Sequence, residues 1–160
     1  MTAIVAKKYG DAWHFACDGR IQSDDVKLAC TGPKWIETRG WLFATAGDCP
    51  DAAKLANFLH ETDSLHLLRA LNTFCREEDL DVTLIAHPPG ADHVYLASCG
   101  YAHKHTDETV CGSGADVAFG ALAHGATPLE AVKTAGTRLC SVGAPYYSLV
   151  RPITAAPKGR

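Results

Sequence analysis

Three residues in the first quarter of the chain could do chemistry together: Thr2 directly after Met1, Asp18 in Ala16-Cys17-Asp18-Gly19-Arg20, and Lys34 in Thr31-Gly32-Pro33-Lys34. Threonine is small, so an initiator methionine ahead of it is normally trimmed, which leaves Thr2 with both a hydroxyl and a free α-amine. A hydroxyl is a weak nucleophile until a nearby base takes its proton, and the chain's own terminal amine can be that base. The ordinary pKa of such an amine, about 7.7–8.0, leaves a useful fraction neutral near pH 7. A lysine held within a few ångströms would press both amines toward neutrality, and a buried aspartate would orient that lysine and offset its charge. With Met1 still attached, the Thr2 nitrogen is an amide and cannot act as base.

Taken singly, each residue has an ordinary role. Asp-Gly is a turn pair, and a lone lysine is a solvated charge. The joint spacing is less ordinary, with Asp18 sixteen positions after Thr2 and Lys34 sixteen after that. In this order the chain resembles the β-subunits of the proteasome and their bacterial ring-protease relatives, the N-terminal-nucleophile threonine hydrolases. Thr2-Ala3-Ile4-Val5-Ala6 matches the nucleophile and its apolar strand, Asp18-Gly19-Arg20 the Asp-x-Arg, and Lys34 the lysine after a loop. Thr45-Ala46-Gly47 resembles the segment whose glycine amide serves as oxyanion donor, and Cys111-Gly112-Ser113-Gly114 resembles the Gly-Ser-Gly that places a serine beside the nucleophile's amine. The likeness runs from residue 2 to about residue 150.

The resemblance implies catalytic roles for Thr2, Asp18, Lys34, Ser113 and Gly47, and substrate-binding roles for Arg20, Gln22, Thr45 and Cys49. Thr45 and Cys49 are small, which suits a large apolar side chain before the cut. Gln22 stands where a small hydroxyl residue often lines the channel. Ser141 is a further candidate, as a second active-site serine, and Arg138 stands three positions before it where many proteasome subunits carry an acid. The same resemblance implies a homo-oligomeric ring, in one or two stacked layers, acting on peptide or unfolded protein, with an unfolding ATPase as a further partner that no residue names. Neither cofactor nor metal is expected.

Composition narrows the field. At 160 residues, 47% hydrophobic and 21% charged, the chain is ordinary globular material for one domain, 1–153, with a flexible tail over 154–160. A net charge of −3 supplies no basic field for nucleic acid. No apolar run approaches the roughly 20 residues of a membrane span and no secretion signal opens the chain, so a cytoplasmic protein is expected. The seven cysteines form no C-x-x-C pair and are expected to be reduced and buried. His103 and His105 with Cys99 or Cys111 lack zinc-site spacings.

The elements that must position these residues are legible in outline. Strands over 3–9 and 12–17 turn at Gly10-Asp11, 19–32 is expected to be loop, and a second hairpin, 34–38 and 41–46, turns at Arg39-Gly40. Ala52, Leu55, Ala56 and Leu59 predict a helix ending near His60, and Leu65, Leu68, Leu71 and Cys75 another over 64–78 with Ser64 as cap. Strands are expected at 81–87, 93–99 and 101–105, then a helix over 115–124. Thr127-Pro128-Leu129-Glu130 is a capping box opening a helix to about Leu139, and a strand over 144–151 closes the chain. Pattern alone supports mixed α and β with antiparallel hairpins. The resemblance implies an α+β fold, the four-layer αββα sandwich of two antiparallel sheets.

A threonine peptidase is thus the expectation. Two other functions fit the same residues: a catalytically silent ring-forming scaffold or binding chamber that retains Met1, and an amidase of the same mechanistic class acting on a small molecule.

Overall fold

The computed structural model describes residues 2–23, 26–29, 32–62, 66–98, 101–139 and 141–154. Gly10-Asp11 folds the first apolar run back on itself, joining β1 (Ile4–Tyr9) to β2 (Ala12–Asp18) in a register that pairs Tyr9 with Ala12 and Ile4 with Cys17. A short ribbon follows, β3 (Arg20–Ser23) with β4 (Val26–Ala29), then β5 (Trp35–Thr38) and β6 (Trp41–Gly47) around the Arg39-Gly40 turn. Helices α1 (Cys49–Glu61) and α2 (Leu67–Glu77) lead to β7 (Val82–His87), β8 (Val94–Ser98), β9 (Tyr101–His105) and β10 (Glu108–Cys111). Helices α3 (Ala115–Ala123) and α4 (Pro128–Arg138) precede β11 (Tyr146–Pro152).

The strands form one sheet in the order β10-β1-β2-β11 and another in the order β5-β6-β7-β8-β9, with every pairing antiparallel. Both faces of both sheets are covered. Ile4, Ala6, Phe15 and Cys17 of the first sheet meet Leu42, Ala44, Ala46 and Ile85 of the second. On the far side of the first sheet, Ala3, Val5 and Ala16 pack against Ala118, Ala131, Val132 and Ala135 of α3 and α4. Beyond the second sheet, Phe43, Leu84 and Ala86 pack against Leu55, Leu59 and Leu71 of α1 and α2. The result is the expected four layers. Burial on both faces explains why the strands read as continuous apolar runs rather than as alternating ones. Each large apolar side chain so buried contributes about 1.5–3 kcal/mol.

Where a loop over 19–32 is expected, the described residues form the ribbon β3–β4, with Ser23 paired to Val26. Four residues a side leave too short a pattern to distinguish from loop. Strand β10 also escapes the sequence pattern, because it is defined by pairing with β1, Ile4 opposite Cys111, across more than a hundred residues. Helix α2 begins at Leu67 and not at 64; His66 stands at its N-cap without a side-chain bond, and Ser64 and Leu65 lie outside the described residues. The Thr127 capping box forms, with the Thr127 amide donating to Glu130 Oε2 at 2.8 Å. Beyond β11 the Thr154 amide donates to the Gly90 carbonyl at 3.1 Å, and the rest of the expected tail lies outside the described residues. Among the described residues no helix is long and apolar enough to cross a membrane.

One polar group sits deep in this apolar stack. His87 is fully buried against Trp13 and Phe15, with Nε2 3.0 Å from the Ala91 carbonyl oxygen and Nδ1 without a partner. Burial pushes its imidazole below the ordinary value; the Ala91 bond opposes this, and Arg151 and His93 add to it. The unfolded chain takes up a proton here near pH 6.5 while the fold resists it. His87 therefore contributes stability that is full above about pH 6.5 and lost as pH falls through the lower folded value. His87→Gln is expected to flatten the fall in melting temperature between about pH 7.5 and 5 relative to the parent chain. Parallel curves for the two proteins would remove His87 as a source of acid lability.

Candidate active site

The β1–β2 register puts Ala3 beside Asp18, the last residue of β2. The Asp18 amide donates to the Ala3 carbonyl at 3.2 Å, and the Ala3 amide returns a bond to Asp18 Oδ1 at 2.9 Å. The other oxygen, Oδ2, accepts from the Arg20 amide at 3.2 Å and from the Gly143 amide at 3.3 Å. Asp18 is fully buried, so these donors replace the water that a carboxylate would otherwise hold.

Lys34 arrives from the other sheet. It precedes β5, its carbonyl accepts from the Thr45 amide at 2.9 Å, and its own amide donates to Cys17 Sγ at 3.4 Å. With its backbone held at both groups, the side chain reaches across the sheet interface. Lys34 Nζ donates to Asp18 Oδ1 at 3.0 Å and to Thr2 Oγ1 at 2.8 Å. Thr2, only 5% exposed, is held by the Gly112-Ser113-Gly114 segment. The Gly114 amide donates to the Thr2 carbonyl at 3.0 Å, and the Thr2 nitrogen donates to Ser113 Oγ at 3.2 Å. Gly112 passes so close to that carbonyl, at a φ of 91°, that a Cβ there would strike the Thr2 oxygen. Cys111, beside this segment, stays a neutral thiol, because burial, with a smaller push from Cys17, raises its pKa to about 12.

Two cavities open beside Thr2. The larger, about 370 Å³, is lined by Arg20, Ile21, Lys34, Trp35, Ile36, Thr45 and Cys49, with Ala52, Ala53 and Ala56 from α1. The smaller, about 260 Å³, is lined by Ala46, Asp81, Thr83, Gly112 and Ser113; Thr2 and Gly47 border both. Gly47 ends β6 at a φ of 149°, and a Cβ on it would collide with the Asp81 carbonyl.

The structure thus brings Thr2, Asp18, Lys34, Ser113 and Gly47 to one place and sets Arg20, Thr45 and Cys49 around the larger cavity. Gln22 lies on β3, and its side chain is outside the described residues. Ser141 is buried, yet among the described residues no hydrogen bond joins it to Thr2 or Lys34; the nearby backbone reaches the site through the Gly143 amide instead. Arg138 is exposed in the last turn of α4, where the helix dipole favours a cation. Sequence reasoning missed Gly143, Cys17 and the alanines of α1. Only the period of α1 could have pointed to the last, since Ala52 and Ala56 share a face.

Three solved structures are similar in architecture. Thiobacillus denitrificans BPH in complex with epoxomicin superposes at a TM-score of 0.80 with 16% identity, over 96% of this chain and 100% of that one. The same protein in a second structure gives 0.81 and 15% over the same shares, and eukaryotic HslV from Trypanosoma brucei gives 0.74 and 17% over 94% and 99%. The chain has their fold. It is a four-layer αββα sandwich of two antiparallel sheets, with Thr2 just ahead of β1 and Lys34 reaching it across the sheet interface. No family model matches the chain, and no curated protein matches it by sequence.

In this sandwich, Asp18 holds two sheets and the loop at Gly143 together. Asp18→Ala strands three amides and an ammonium, and is expected to cost about 3 kcal/mol or more in urea unfolding. Asp18→Asn keeps the shape and one acceptor and is expected to cost less. Equal, small losses for both would mean that the carboxylate contributes little.

Proposed function

We propose that this chain is a threonine endopeptidase subunit that hydrolyses peptide bonds through an acyl-enzyme on Thr2 once Met1 is removed. The observation that carries this reading is the placement of Lys34 Nζ, 2.8 Å from Thr2 Oγ1 and 3.0 Å from Asp18 Oδ1, with Thr2 itself bordering two cavities.

In this mechanism Thr2 Oγ1 attacks the scissile carbonyl carbon while its proton passes to the freed α-amine, directly or through one water. The Lys34 ammonium, already bonded to that oxygen, stabilises the alkoxide character as it develops. Oxyanion charge falls toward the Gly47 amide, an interaction whose loss in other enzymes costs about 10²–10³ in rate. The tetrahedral adduct collapses, the carbon–nitrogen bond breaks, and the leaving amine takes the proton back from the Thr2 ammonium. Water then attacks the ester, its proton again passing to the amine, and the acid departs as Thr2 recovers its hydroxyl. Ser113 holds the amine through Oγ.

The larger cavity suits the side chain before the cut. Ile21, Trp35, Ile36 and the α1 alanines give it apolar walls, which favours a large apolar group there. The likeness of the sequence to ring proteases supports a homo-oligomeric ring built on heterologous contacts, in the cytoplasm, fed by an unfolding ATPase with peptide or unfolded protein. A chamber that confines the nucleophile would spare folded neighbours.

Epoxomicin bridges an N-terminal threonine's hydroxyl and amine, and BPH is known in complex with it. Intact-mass measurement is expected to show a chain lacking Met1, one adduct after incubation with epoxomicin, and none in Thr2→Ala, which also loses peptidase activity. A chain that keeps Met1 and takes no adduct would favour the silent scaffold, and full peptidase activity in Thr2→Ala would defeat the mechanism.

A further inference from the structure

Among the described residues, Thr2 and Gly47 are the only ones common to the linings of the two cavities, so a peptide crossing Thr2 must place its acyl side in one and its leaving side in the other. The chemistry proposed above, on which this inference rests, says which is which. The leaving amine is protonated by the Thr2 nitrogen, and that nitrogen lies 3.2 Å from Ser113 Oγ. Ser113 lines only the smaller cavity, whereas Lys34 lines only the larger. The leaving side therefore belongs to the smaller one.

Among the described residues Asp81 is the one charged residue lining that cavity. Its backbone is tied down: the amide donates to Asp51 Oδ2 at 3.0 Å, and the carbonyl accepts from the Asp48 amide at 3.2 Å. Its side chain has no such ties. No hydrogen bond or ion pair engages the Asp81 carboxylate among the described residues, and the residue is exposed. Of its two acidic neighbours, Asp48 is engaged with the Cys49 amide and Asp51 with the Asp81 amide and Lys54, and both keep the surrounding potential negative. The remaining polar side chains of the cavity, Thr83 and Ser113, are uncharged.

We propose that Asp81 makes the smaller cavity a cation-selecting subsite, so that cleavage favours Lys or Arg as the first residue after the cut. The backbone bonds that anchor residue 81 do not involve its carboxylate, so changes of side chain leave the anchoring intact.

The test is a set of internally quenched peptides identical except for that residue, which is Lys, Arg, Ala or Glu. The ratio of kcat/KM for Lys over Ala is expected to be about three- to fivefold at low salt, the range for a partly solvated ion pair, and to shrink toward one near 0.5 M salt. Asp81→Asn is expected to bring the ratio to about one, and Asp81→Lys to turn the preference toward Glu. A Lys preference that survives Asp81→Asn, or no preference in the parent chain, overturns the inference. Epoxomicin labelling of the same preparation separates the two levels. Adduct with cleavage but without charge preference sinks this proposal alone, whereas neither adduct nor cleavage of any peptide sinks the peptidase reading and this inference with it.

Discussion

A single carboxylate with no access to water organises the working end of this molecule. Asp18 gathers amides from Ala3, Arg20 and Gly143 and the ammonium of Lys34, four donors drawn from separate stretches of chain. Removing a carboxylate from water costs several kcal/mol, and only donors already held in place can offset that. Each donor is held by something else: Ala3 by the β1–β2 ladder, Lys34 by its backbone bonds to Thr45 and Cys17. The geometry around Thr2 thus follows from satisfying Asp18.

Dividing the parts between two sheets has a consequence for substrate access. The first sheet contributes Thr2 and Asp18, the second contributes Lys34 and Gly47, and the cleft between their ends becomes the place where a substrate can lie. Small residues then decide the space. Ala52, Ala53 and Ala56 on α1 leave room that larger side chains would fill, while Gly47 and Gly112 allow backbone to approach backbone beside Thr2. Away from this end, the sheets meet in apolar contact that includes the buried His87, and the Arg151–Glu37 ion pair joins their edges.

Much of the scaffold was legible because its signals are local. Gly10-Asp11 and Arg39-Gly40 mark two-residue turns, and the Thr127 to Glu130 box marks a helix start; all three form where they read. The expected loop over 19–32 failed for the opposite reason, since β3 and β4 are too short to show a period, and β10 exists only because β1 lies beside it. Within the site, Asp18 and Lys34 could be named from type and spacing and Ser113 from the family resemblance, but Gly143 could not. A backbone amide carries no signature in residue type.

By itself the sequence determined the distance along the chain between Thr2 and Asp18, because a tight turn and two strands of similar length, six and seven residues, oblige the start of one to meet the end of the other. Its pattern also determined a mixed α and β chain with antiparallel hairpins, whereas the four layers were implied only by the family resemblance. Only the tertiary structure decided that the Gly143 amide, 125 residues from Asp18, completes that carboxylate's shell, and that Ser113, 111 residues from Thr2, meets its nitrogen. It alone divided the space around Thr2 into two cavities and left Asp81 facing the smaller. These are contacts between remote segments, set by how two sheets pack, and no local pattern of residue types encodes that packing.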